Sequence, residues 1–143
     1  MKVETFAYPA LIEKTDGGRV VTFRDIPQAV GQIEDNEDAV EASRESLQIA
    51  INYFFEGEEP IPAASGLKKG EILVTLPISY VAKIALHNAM IRNRIRPADL
   101  ARRLGVPTSE VARITNPKCK TKIDTMERVV AMAGGTISLV SAA

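Results

Sequence analysis

The chain has 143 residues, 45% hydrophobic, 25% charged and 5% aromatic, an ordinary globular composition with enough apolar material for one good core or two small ones. Its 18 Lys and Arg balance 18 Asp and Glu, yet residues 1–76 carry 7 basic against 14 acidic side chains, net −7, and residues 77–143 carry 11 against 4, net +7. That asymmetry excludes a uniformly charged surface and points to two domains with different partners. A single cysteine, Cys119, excludes an internal disulfide, and with only His87 beside it no structural zinc site can be assembled. The start MKVE lacks the basic and apolar regions of a signal peptide, and no apolar run approaches the roughly 20 residues of a membrane span, so a cytoplasmic protein with no membrane partner is expected.

Residues 3–14 alternate in β-formers and run into Thr15-Asp16-Gly17-Gly18, a turn that predicts a hairpin with a return strand over residues 19–23. Asp25-Ile26-Pro27 turns the chain into a third extended stretch at residues 29–33. Asp35 and Asn36 are N-cap types, followed by Glu37 and Asp38, where a helix start favours acids. A long helix is predicted from there to Gly57, its apolar face formed by Val40, Ser43, Leu47, Ala50, Ile51 and Phe54 at spacings of three and four. Residues 56–70 (EGEEPIPAASGLKKG) read as a surface loop, and residues 71–76 (EILVTL) as a fourth strand ended by Pro77.

From residue 79 onward the periodicity is helical, with helices predicted over 79–94, 97–104, 108–114 and 122–132. Thr121 and Asp124 have capping-box spacing for the last helix, and Gly134-Gly135 stops it. Residues 136–140 (TISLV) then predict a short strand. A strand in an otherwise helical half needs a partner, which a second copy of the chain would supply.

The most specific pattern is DLARRLGVPTSEVARI at residues 99–114, which reads as a helix-turn-helix. Ala101 is small where two helices cross, Gly105 takes the left-handed turn conformation, and Leu100, Leu104, Val106, Val111 and Ile114 form the buried set. In a DNA-binding motif of this kind the second helix enters the major groove, placing Thr108, Ser109, Glu110 and Arg113 toward base edges. Arg113 suits guanine, while Glu110 suits either cytosine or simply the positive helix start. Lys118, Lys120 and Lys122 follow, and Arg92, Arg94, Arg96, Arg102 and Arg103 precede or lie within the motif, a cationic rim for phosphates.

The chain resembles the HicB antitoxins of HicA/HicB toxin–antitoxin pairs, in particular those with a C-terminal helix-turn-helix. The matching stretches are GGRVVTFRDIPQA (17–29), NEDAVEASRESL (36–47), VTLPISYVAKIALHNA (74–89), ARRLGVPTSEVARI (101–114), and TKIDTMERV (121–129) with ISLV (137–140), in order over nearly the whole chain. The resemblance implies an α+β chain: residues 1–76 a partial RNase H-like domain, an antiparallel sheet with a packed helix, that binds a HicA-type messenger-RNA-cleaving toxin, and residues 77–143 a Cro/repressor-like domain that represses the pair's own operon. No individual toxin-contact residue is assigned. Two departures stand out: relatives often cap the first motif helix with Ser or Thr where Arg96 stands here, and have His near Cys119.

The residues agree with that division of labour. An acidic N-terminal half complements a basic RNA-binding toxin, with acids clustered at Glu34, Asp35, Glu37, Asp38, Glu41 and Glu45 and again at Glu56, Glu58 and Glu59. Two-metal nuclease chemistry needs converging carboxylates with one inside the first strand, and there is no acid between Thr5 and Ile12; Glu4 and Glu13 lie at its ends. Lone His87 forms no catalytic pattern, so no enzyme activity, metal or cofactor is expected. One helix-turn-helix reads few base pairs, so a homodimer or higher even oligomer is expected, with Thr136, Ile137, Ser138, Leu139 and Val140 as its contact. The alternatives are a stand-alone helix-turn-helix regulator, which predicts a concave apolar ligand pocket in the first domain, and a nucleic-acid-processing enzyme, which needs the missing carboxylates.

Overall fold

The computed structural model describes residues 2–142, and strand β1 (Tyr8–Thr15) is its first regular element. It turns through Asp16-Gly17 into the antiparallel β2 (Gly18–Thr22), with Thr15 paired to Gly18 and Leu11 to Thr22. Gly18 holds φ at +140° with the Ile33 carbonyl 2.7 Å from where a Cβ would stand, so glycine is required there. Strand β3 (Gly31–Ile33) pairs antiparallel with β2, and β4 (Ile72–Val74) with the other edge of β1, giving the order β3-β2-β1-β4. The expected extended stretch at 3–14 becomes a strand only from Tyr8. Before that, the Thr5 carbonyl takes its bond from the Ala64 amide, 2.8 Å away, so this segment pairs with the 58–70 loop rather than with the sheet.

Helix α1 (Ala39–Glu56) packs on one face of this sheet. Ser43, Leu47, Ala50 and Ile51 point inward at helical spacing and meet Tyr8, Ala10, Val21, Ile33 and Val74, the side chains that alternation and register place on the facing side. Each such aliphatic burial contributes about 1.5 to 3 kcal/mol. Of the expected apolar face, Val40 is exposed and Phe54 half-buried. The N-cap is Asp38, and not Asp35 or Asn36: its Oδ1 accepts from the Val40 and Glu41 amides at 2.9 and 3.2 Å, while residues 34–37 form a preceding turn closed by Glu37 N–H to Glu34 O. Gly57 ends the helix.

The second body is helical. It comprises Glu58–Pro60 and the chain from Pro77 onward, whereas residues up to Gly57 and Ile61–Leu76 form the first. Helix α2 (Ile78–Arg92) is followed by α3 (Pro97–Leu104), α4 (Thr108–Thr115) and α5 (Ile123–Met132). Leu86, Leu100, Val111, Met126 and Val129 are the fully buried centre of their common core. The helix expected to reach residue 94 stops at Arg92 because Arg94 adopts φ +54° and the Ile95 amide turns back to the Met90 carbonyl.

One further expectation is corrected here. Helix α5 begins at Ile123 without a capping box: Thr121 has its hydroxyl committed to Lys83 Nζ, so it does not cap the helix with Asp124. In the single chain residues 136–142 run without regular structure, so the expected strand at 136–140 awaits the partner copy that a strand there needs. Ile137 packs on the helical core, while Leu139 and Val140 are exposed.

Candidate functional site

In the helical body the chemistry-bearing residues gather around α3 and α4. Gly105 ends α3 in the left-handed conformation (φ +68°) and allows the chain to turn through Val106-Pro107 into α4. Leu100, Ala101, Val111 and Ile114 are buried in the crossing, and Leu104 and Val106 pack half-buried against it. Arg96 lacks any acceptor for a cap, and Asp99 compensates: its Oδ2 accepts from the Arg96 amide at 3.0 Å, and its Oδ1 from Arg102 at 2.6 Å. The Arg96 backbone N–H, with the Arg96 and Arg102 guanidiniums behind it, holds the Asp99 carboxyl down to about 2.

Thr108, Ser109 and Arg113 are exposed on α4, and Glu110 is half-buried. Arg113 Nη1 lies 3.4 Å from Glu110 Oε2 one turn earlier, so the carboxylate orients the guanidinium across the helix surface. Such an exposed pair is worth about 0.2 to 1 kcal/mol and yields readily to a stronger anion. Lys118, Lys120 and Lys122 are exposed on the connector after α4, where the Lys118 amide bonds Asn116 Oδ1 at 2.9 Å. The arginines split by role. Arg96 and Arg102 engage Asp99, and Arg103 Nη1 donates to the Met132 carbonyl at 2.8 Å, closing the end of α5. Arg92 and Arg94, also expected in the cationic rim, are exposed, and Arg96 and Arg102 keep most of their side chains in solvent despite the Asp99 contact, as Arg113 does beside Glu110.

Lys83 was not singled out by sequence reasoning. It is 1% exposed on α2, and its Nζ donates to the Ile114 carbonyl at 2.5 Å, Thr121 Oγ1 at 2.8 Å and the Arg113 carbonyl at 3.2 Å. Burial pulls its pKa down from the usual lysine value. The signal was its position, three residues after Tyr80 and three before Leu86, on the buried stripe of the helix. His87 is half-buried, with Nε2 2.6 Å from the Glu59 carbonyl. Cys119 is a half-buried free thiol.

In the first body the acids mark a different surface. Glu37, Asp38, Glu41, Glu45, Gln48 and Asn52 line an open groove of about 560 Å³ along α1. Asp38 is committed to the helix cap, and Glu41 pairs with Arg44, whose Nε also reaches the Thr75 carbonyl at 2.8 Å. Arg24 ties the 61–71 segment to the sheet, bonding Glu71 at 2.8 and 3.0 Å together with Ser65 and the Gly66 carbonyl, while Asp25 takes the Ser65 amide at 3.0 Å. The Arg24 bond holds the Glu71 carboxyl below its usual range. Among the described residues no three His, Cys, Asp or Glu side chains converge as a metal-holding group, and no helix is long and apolar enough to cross a membrane.

Residues 7–85 match the profile of the HicB_like antitoxin of bacterial toxin-antitoxin systems. The chain belongs to the HicB antitoxin family. It is 37% identical over 134 residues to Antitoxin HicB of Escherichia coli (strain K12), covering 93% of this chain and 97% of that protein. It is 33% identical over 138 residues to Antitoxin HicB 1 of Photorhabdus laumondii, covering 96% and 88%, and 25% identical over 135 residues to Antitoxin HicB of Pseudomonas fluorescens, covering 94% and 92%. The family profile takes in the whole sheet and α1 and ends inside α2, whereas the similarity to these HicB antitoxins continues through α4 and the connector that carries the lysines.

Proposed function

We propose that this antitoxin neutralises a HicA-type ribonuclease through the acidic sheet body, a partial RNase H-like domain, and represses its own operon through α3 and α4 acting as a helix-turn-helix. Family membership supports the toxin partner, and the sheet body, with 7 basic against 12 acidic side chains, suits a partner that must itself hold RNA phosphates. The observation that carries the DNA reading is α4: one side is buried through Val111 and Ile114, while the other presents Thr108, Ser109 and Arg113 beside the exposed Lys118, Lys120 and Lys122. In the groove, Arg113 exchanges its Glu110 contact for a guanine edge and the lysines take phosphates. The protein works as a cytoplasmic homodimer or higher even oligomer, with residues 136–140 pairing between copies. That segment has no regular structure in the single chain and carries the exposed apolar Leu139 and Val140, which a second copy would cover.

Binding to a duplex from immediately upstream of the gene tests this reading. Arg113→Ala should weaken binding by about 1 to 3 kcal/mol and erase preference over a scrambled duplex, whereas Lys120→Ala should mainly lower the salt slope by about 1. Equal binding by wild type and Arg113→Ala removes Arg113 from the recognition surface. For the toxin arm, the product of the adjacent reading frame should co-purify with the antitoxin and lose its RNA cleavage on binding; cleavage unaffected by saturating antitoxin would refute neutralisation.

A further inference from the structure

The helical core contains a charge that its packing does not call for. Lys83 is 1% exposed on α2 between the buried Ala82 and Ile84, and among the described residues its ammonium meets neutral oxygens and no carboxylate. An apolar side chain of the same volume would be cheaper to bury than an ammonium without an anionic partner. What the ammonium supplies is direction. Its three donors are matched to three acceptors, two of them the Arg113 and Ile114 carbonyls at the negative end of α4 and the third Thr121 Oγ1. Three bonds from one atom fix both the rotation and the axial position of the last turn of α4 against α2. They also clamp both ends of the connector that carries Lys118 and Lys120, since Ile114 precedes it and Thr121 closes it.

We propose that Lys83 is a positioning residue for DNA binding: by holding the end of α4 and the far end of the 116–120 connector at one point, it presents Arg113 and the Lys118/Lys120 pair to the same duplex. This rests on the DNA-binding reading above. The side chain that Lys83 steers is Arg113, whose own carbonyl it bonds and whose guanidinium is 67% exposed. Lys83 itself is too buried to meet a phosphate, so its effect on DNA is transmitted entirely through α4 and the connector.

The test uses the full chain, wild type, Lys83→Met and Thr121→Val, in fluorescence anisotropy on the upstream duplex and a scrambled duplex of equal length, well below each variant's unfolding midpoint. Folded Lys83→Met should lose about tenfold or more on the upstream duplex and less than about threefold on the scrambled one, because geometry and not surface charge has changed. Thr121→Val keeps both α4 bonds and frees only the connector, so it should lose about two- to fivefold, accompanied by a reduced salt slope. A folded Lys83→Met that binds the upstream duplex like wild type, or loses equally on both duplexes, overturns the proposal. Should Lys83→Met fail to fold, Thr121→Val decides: unchanged affinity and salt slope overturn it. A wild type with no preference for the upstream duplex refutes the DNA-binding reading itself, a distinct result.

Discussion

Substituting Gly31 by alanine perturbs a close approach of α1 to the sheet without touching any charge. An alanine Cβ there would stand 2.0 Å from Ser46 Oγ, 2.9 Å from Ser46 Cβ and 3.2 Å from Val21 Cγ1. The hydroxyl can rotate away, but the Ser46 Cβ is fixed to the helix, so relief requires α1 to move off β3. Carbon atoms pack best at about 3.5 to 4.0 Å, so the shift is roughly 0.5 to 1 Å, enough to forfeit a quarter to a half of each dispersion contact it stretches. Those contacts include the neighbouring fully buried Leu47 and Ile51. Overpacking of this kind costs about 1 to 3 kcal/mol, against which alanine returns about 0.4 to 1 kcal/mol by stiffening the unfolded chain. A net loss of about 1 to 2 kcal/mol lowers the midpoint by about 5 to 15 °C in a body of this size. Thermal unfolding of the full chain, followed through the amide signals of β2 and β3, measures it. Ser46→Gly removes the two nearest of these three atoms, so although it costs about 1 kcal/mol in helix propensity, adding Gly31→Ala to it should cost much less than Gly31→Ala costs the wild type. Wild-type stability for Gly31→Ala, or two effects that simply add, would refute the steric reasoning.

Gly134→Ala should destabilise the helical body by about 1 to 2 kcal/mol, since φ is +87° there and the new Cβ would stand 2.6 Å from Asn93 Nδ2, which is committed to the Ala133 carbonyl; urea unfolding checks it, and an unchanged midpoint counts against the strain. Asp99 titrates near about 2 in the folded chain, below its unfolded value of roughly 4, so its contribution is complete above the unfolded value and is lost as pH falls toward the folded one. Asp99→Asn should therefore flatten the acid limb of the stability curve while leaving its slope near neutrality alone; identical pH dependence in both proteins would show that the carboxylate is not the group being titrated.

The elements that sequence reasoning located best are those whose signals are local. The α3–α4 pair starts and stops where Pro97, Gly105 and Pro107 place it, because a fixed φ or a left-handed residue acts on its own neighbours alone. The four strands were legible from alternation, and their lengths were not. Whether residues 3–7 join the sheet depends on the 58–70 loop arriving to take the Thr5 carbonyl, a contact between segments about 60 residues apart. The N-cap was misassigned for a related reason. Asp35, Asn36 and Asp38 are equivalent cap types, and only the turn closed by Glu37 on Glu34 decides that Asp38 comes last before the helix.

Charge was legible as a sum and illegible as a set of roles. Counting distinguishes an acidic from a basic half, yet among the arginines and lysines of residues 77–143 the structure assigns Arg96 and Arg102 to Asp99, Arg113 to Glu110, Arg103 to the end of α5 and Lys83 to the core, while Arg92, Arg94, Arg128, Lys118, Lys120 and Lys122 are exposed. Those assignments depend on acceptors distant in sequence: the Met132 carbonyl for Arg103, and the carbonyls of Arg113 and Ile114 for Lys83. A residue's charge is written in the sequence, but its partner is written in the fold. In this antitoxin part of the seven-charge excess of residues 77–143 is therefore committed to holding its helices together. Adding surface lysines near α4 should then raise affinity for any duplex, whereas removing buried Lys83 should lower affinity chiefly for the correct one.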